Sequence, residues 1–135
     1  MDGSMGGAKA SRMEAWRAQG FEPNNCPVRQ VLDHVSAKWP VLVLMELGEE
    51  PRRFNELLRA LPDISKRMLT QSLRNLERDG LVRREVFDTK PPSVRYSLTA
   101  LGEGFLPHLL ALVDWADAGM PQILAARAAF DAASA

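Results

Sequence analysis

Ile64-Ser65-Lys66-Arg67-Met68-Leu69-Thr70-Gln71-Ser72-Leu73-Arg74-Asn75-Leu76-Glu77-Arg78-Asp79-Gly80 is the stretch whose reading decides the fold. Leu69, Leu73 and Leu76 recur at helical spacing and make one apolar stripe. At about 100° per residue, Arg67, Gln71, Arg74 and Arg78 fall on the opposite side. Three guanidinium groups and a carboxamide in one row suit phosphate oxygens and base edges. On the helix alone, an ordinary solvated polar face is the favoured reading. Ser65 stands where an N-cap accepts from the free N–H groups of the first turn. Gly80 stands just past the end, where a left-handed residue costs least.

The neighbours of this helix decide the matter. Phe54-Asn55-Glu56-Leu57-Leu58-Arg59-Ala60-Leu61 reads as a two-turn helix ended by Pro62. Only Pro62-Asp63-Ile64 and the cap Ser65 separate it from the next helix, the spacing of a helix-turn-helix. Beyond Gly80 the period changes from helical to alternating. Residues 81–87 and 94–98 read as strands, rich in β-branched and aromatic side chains. Val94, Tyr96 and Leu98 alternate with Arg95 and Ser97, which predicts one wet face. Between the strands, 88–93 form a stiff turn with Lys90 at its tip. A helix-turn-helix followed by a basic hairpin is the winged-helix arrangement, in which the helix enters the major groove and the hairpin reaches the backbone.

Upstream, Cys26-Pro27 opens a helix with Val28, Val31, Leu32 and Val35 on one side and Arg29, Gln30, Asp33 and Ser36 on the other. Pro40 to Leu47 is apolar nearly all round and should lie centrally, with Gly48 stopping it. Pro51-Arg52-Arg53-Phe54 is extended, a stub of strand; Arg52 and Arg53 fit a backbone contact or a plain surface role equally well. Met1 to Gly7 reads as a disordered lead or a cloning remnant. Ala8 to Gln19 is a short helix with Met13 and Trp16, closed by Gly20, too short to stand alone in water. Trp16 and Phe21 fit a docked arm, and a floppy arm is the alternative.

Downstream, Thr99 caps a long helix. Phe105, Leu109, Leu112 and Ala116 make one stripe and Leu106, Leu110 and Val113 another, with Leu101 and Trp115 also apolar. So broad an arc exceeds one small core and leaves Phe105, Leu109, Leu112, Trp115 and Ala116 for an oligomer interface. Pro107 should bend this helix, and Pro121 should begin a separate Ala-rich segment over 122–130. The expected organisation is an arm over 1–25, a folded domain over 26–118 and a helical tail over 119–135. The fold class is α+β, mostly α: a winged helix-turn-helix with additional N- and C-terminal dimerisation helices.

Composition narrows the function classes. The chain has 135 residues, enough for one real core, and no apolar run exceeds five, as in Val41 to Met45, far short of a membrane span. The first residues lack the apolar core of a signal peptide, so a cytoplasmic location is expected. A single cysteine excludes an intramolecular disulfide and a Cys-based zinc site. His34 and His108 have no second ligand at metal spacing, so no metal and no cofactor is expected. Formal charge is zero overall, yet it is −2 over residues 1–50, +5 over 51–95 and −3 over 96–135. The basic third contains the opening helix, the electrostatic footprint of a nucleic-acid face. No phosphate-binding Gly loop and no nucleophile-with-base motif speaks for an enzyme.

In ordered sequence, Cys26-Pro27-Val28, Lys38-Trp39, Arg53-Phe54-Asn55-Glu56-Leu57, 64–71, 73–82, Pro91-Pro92, 94–99 and Leu101-Gly102 resemble the HxlR-type family of winged-helix transcriptional regulators, within the MarR-like superfamily. The resemblance spans roughly residues 26–117. It implies a prokaryotic, dimeric, sequence-specific DNA-binding regulator that dimerises through terminal helices, and repression is the expected mode of action. Arg67, Gln71 and Arg74 are then the base readers. Ser65, Lys66 and Thr70 meet phosphates, Arg78 meets a phosphate or a surface partner, and Lys90 and Arg95 serve the wing. The DNA site of a dimer is double-stranded and near-palindromic. Relatives use the cysteine of this Cys-Pro motif to sense oxidants or electrophiles. Cys26 is therefore the candidate sensor for a small-molecule or oxidant effector, against the alternative of a small buried side chain. Trp39, Trp115, Met45 and Met68 are expected to pack. The rival function is a protein-binding winged helix with no DNA role.

Overall fold

In the computed structural model, residues 11–20, 26–35 and 38–134 are described. The expectations placed on 1–10, Phe21 and Ser36, and on the side chain of His34, lie outside them. Two compact units divide between Ala37 and Lys38.

The first unit holds α1 (11–18) and α2 (Pro27–Val35). Gly20, at φ +82°, ends α1 as expected, and its N–H donates to the Arg17 carbonyl. In α2 the expected apolar side is exposed at Val28, Val31 and Leu32 and buried only at Val35.

The second unit begins with α3 (Lys38–Glu49), followed by β1 (Arg52–Arg53), α4 (Phe54–Ala60), α5 (Lys66–Arg78), β2 (Val82–Phe87), β3 (Ser93–Leu98) and α6 (Ala100–Ser134). Helix α3 is central: it packs against α5, α6 and β3. Trp39, Val43, Leu44 and Leu47 are buried, whereas Leu42 reaches the surface. Gly48 does not stop α3, which runs on to Glu49. A Cβ at Gly48 would lie 2.5 Å from Cδ2 of Leu106, so the glycine lets α6 approach α3 closely.

The sheet order is β1-β3-β2, all antiparallel, with Arg52 and Arg84 both opposite Tyr96, and Arg53 and Glu85 both opposite Arg95. Strand β3 is therefore the middle strand, and its expected wet face is covered. Ser97 is buried alongside Leu98 because α3 and α6 also pack on this strand.

Helix α6 is one continuous helix through both Pro107 and Pro121, in place of a domain helix and a separate tail. Each proline removes one N–H donor, and the Ala- and Leu-rich turns on either side carry the helix past it.

Candidate nucleic-acid interface

Helix α5 is fixed at both ends by its own sequence. The Ser65 side chain accepts from the Met68 N–H at 3.0 Å. At the other end the Gly80 N–H donates to the Glu77 carbonyl and the Leu81 N–H to the Leu76 carbonyl, both at 3.0 Å. With Gly80 at φ +76°, these two bonds make a Schellman motif, sealed by buried Leu76 and Leu81. The link from α4 turns at Asp63, whose φ of +70° is a left-handed conformation that Asp tolerates better than most residues. Ile64 is buried beneath that turn.

Between these fixed ends, Leu69, Leu73 and Leu76 are fully buried, and Ser72 joins them. Each fully buried leucine contributes about 1.5–3 kcal/mol, and together they set the rotation of the helix. That rotation leaves Ser65, Lys66, Arg67, Thr70, Gln71, Arg74 and Arg78 exposed. The Gln71 carboxamide donates to the Asn75 side chain at 3.1 Å, so one N–H and the carbonyl remain for a partner. Met68, expected to pack, is instead 45 % exposed beside this row.

The hairpin of β2 and β3 carries Lys90 exposed at its turn. The Thr89 hydroxyl donates to the Pro91 carbonyl at 2.7 Å and braces that turn. Arg95, expected to serve the wing, lies on β3. It is half-buried on the middle strand, its guanidinium 4.9 Å from the Phe87 ring centroid and its Nε buried without a partner. Of the two readings left open for Arg52, the surface role holds, because its guanidinium meets Glu50 at 3.1 Å and Glu46 and Glu49 at 3.5 Å. Arg53 is exposed, and its backbone N–H donates to the Glu56 carboxylate at 2.8 Å, starting α4.

Sequence reading overlooked Arg84. It is exposed on β2 and shares a cleft with Thr70 and Arg74 of α5. The alternation Val82-Arg84-Val86 was the available signal, because it puts Arg84 on the sheet face that turns toward the buried Val82.

The expected interface residues of α6 separate into two groups. Leu109 is 3 % exposed, already buried within the chain, so it leaves the set. Phe105 and Ala116 are half-buried, while Leu112 and Trp115 are 53 % and 66 % exposed. Leu110, Leu124 and Phe130 are also exposed, which carries the uncovered apolar surface past residue 118. Cys26 is half-buried just before α2, a free thiol, and its carbonyl accepts from the Gln30 N–H.

A family model described as HxlR-like helix-turn-helix matches residues 34–123. YtfH of Escherichia coli (strain K12), an HTH-type transcriptional regulator, is 45 % identical over 102 residues, 76 % of this chain and 81 % of that protein. Among solved structures, the transcriptional regulator ytfH from Salmonella typhimurium is 44 % identical with a TM-score of 0.68, covering 77 % of this chain and 93 % of that one. The redox regulator HypR in its reduced form is 38 % identical with a TM-score of 0.70, covering 74 % and 99 %.

Proposed function

The chain belongs to the HxlR-like helix-turn-helix family of transcriptional regulators, and we propose that it acts as a homodimeric repressor that binds double-stranded DNA through α5. The observation that carries this reading is the exposed row Arg67, Gln71 and Arg74 on a helix whose other face is locked in the core. An Arg fork matches guanine O6 and N7, and a carboxamide matches adenine N6 and N7. Ser65, Lys66 and Thr70, at the helix start, meet phosphates, with the first-turn N–H groups adding a favourable field. Arg78, farther along, is left to a phosphate, and Lys90 reaches the backbone from the wing.

A dimer through the exposed apolar residues of α6, Leu112 and Trp115 among them, would present two such helices. Half-sites about 34 Å apart follow from one helical turn of DNA, which makes a near-palindrome the matching operator. In this reading the domain spans 26–118, with the rest of α6 extending the dimer surface, and the protein works in the cytoplasm.

Cys26 supplies the signal input in the same reading, supported by the likeness to a protein described as a redox regulator. An added oxidant removes two electrons and two protons from a pair of Cys26 thiols, one per protomer, and one disulfide forms.

Fluorescence anisotropy with a fragment of the protein's own promoter and a scrambled fragment tests the DNA role. Specific binding should be tighter than scrambled binding, and both should weaken steeply as salt rises, through counterion release. Negligible binding that ignores salt would instead favour a protein-binding module.

A further inference from the structure

A cleft of about 380 Å³ lies between α5 and the sheet, lined by Thr70, Leu73, Arg74 and Glu77 from the helix and by Arg84 and Tyr96 from the strands. Arg84 and Tyr96 are directly opposite in the β2–β3 register, so they are neighbours on one sheet face. The third residue in that row is Arg52, which is held by Glu46, Glu49 and Glu50. That leaves Arg84 as the row's available cation.

Both Arg74 and Arg84 are exposed, and among the described residues the ion pairs involve Arg52 and Arg83 instead. Two guanidinium groups against the single Glu77 carboxylate leave the cleft lining net positive, which favours an anion seated there. The Thr70 and Tyr96 hydroxyls supply neutral donors, and buried Leu73 gives an apolar wall. Arg74 belongs to the exposed row of α5 and Thr70 is exposed beside it, which places the cleft at the edge of the DNA-facing surface.

We propose that this cleft seats one backbone phosphate of the bound DNA, with Arg84 as the contacting cation and Thr70 and Tyr96 as hydrogen-bond donors. Arg74 adds its positive field while its fork stays with the groove. The seated phosphate fixes how far α5 slides along the groove, so a strand residue sets the register of a helix that reads bases. Glu77 opposes the anion from within the cleft and tempers affinity. This proposal rests on the reading of α5 as the DNA-facing helix.

Full-length wild type, Arg84→Ala, Arg84→Lys and Glu77→Gln are compared on the promoter fragment and a scrambled one across a salt series. Arg84→Ala should weaken both fragments by the same factor and lower the slope of log affinity against log salt by about one unit. Arg84→Lys should keep most of the slope, and Glu77→Gln should tighten both fragments. A neutral methylphosphonate walked along the fragment should reveal one position that costs wild type affinity and costs Arg84→Ala nothing further. Inorganic phosphate should compete no better than chloride at equal ionic strength; stronger competition would mark a free-anion site and overturn the assignment to DNA. An unchanged slope in Arg84→Ala, with wild type binding normally, overturns the proposal alone. Wild type that binds neither fragment overturns the reading of α5, and this proposal with it.

Discussion

The Thr99 hydroxyl donates to the Gly80 carbonyl, nineteen positions earlier, and accepts from the Gly102 N–H at 3.1 Å. The Thr99 N–H also donates to the Leu81 carbonyl at 3.1 Å. One residue thus closes the end of α5, joins it to the sheet and caps α6. The end of α5 is thereby tied to the start of the helix that carries the exposed apolar surface. Thr99→Ala should cost about 1–2 kcal/mol of stability, the usual loss for an N-cap with a second bond. Urea unfolding checks this, and Thr99→Ser, which keeps the hydroxyl, should recover most of it.

Gly102 and Gly104 sit two positions apart on α6 and should respond oppositely to alanine. A Cβ at Gly102 would lie 2.2 Å from the Leu81 carbonyl oxygen, which is backbone and cannot turn aside, whereas one at Gly104 meets nothing within 4 Å. Gly102→Ala should therefore destabilise by about 1–3 kcal/mol through forced backbone movement. Gly104→Ala should be neutral or stabilising by up to about 1 kcal/mol, from helix propensity. Thermal unfolding of the two variants side by side distinguishes them.

Leu109 and Trp115 lie on one helix, the first 3 % and the second 66 % exposed. Leu109→Ala should lower stability by about 2–5 kcal/mol, because it empties a buried site. Trp115→Glu should leave the protomer's fold intact and shift sedimentation from dimer toward monomer, since a charge then lies in the apolar contact. A Trp115→Glu protein that remains fully dimeric would place the interface elsewhere.

Cys26→Ser keeps the size of the side chain and removes the thiol. Wild type should release promoter DNA on treatment with diamide, and non-reducing gels should show a dimer band that dithiothreitol removes. Cys26→Ser should bind DNA as wild type does and ignore diamide. Equal release by both proteins would make Cys26 a packing residue.

Much of this was legible in local signals. Ser65 and Gly80 mark the ends of α5 because caps are chosen within a few residues, and Leu69, Leu73 and Leu76 mark its inner face by spacing alone. What sequence misjudged depends on tertiary neighbours. The alternation of β3 marks Arg95 and Ser97 as facing water, yet the middle position of that strand and the packing of α3 and α6 bury them in part or wholly. Leu109 and Leu112 share a stripe, yet Leu109 is buried and Leu112 is 53 % exposed, a division that spacing alone does not carry. Gly48 looks like a helix stop, while its use is to admit Leu106. Arg84 was missed because a strand arginine acquires a role only when the register sets it beside α5.

The central claim is that the exposed row of α5 reads bases. Hydroxyl-radical footprinting of the DNA upstream of the protein's own gene, with wild type and Arg67→Ala, tests it most directly. Wild type should protect two half-sites about 34 Å apart. Arg67→Ala should lose about 1–3 kcal/mol on that site while its weak binding to scrambled DNA stays nearly constant. Equal weakening on both sequences, or no protected site with folded wild type, would contradict the account.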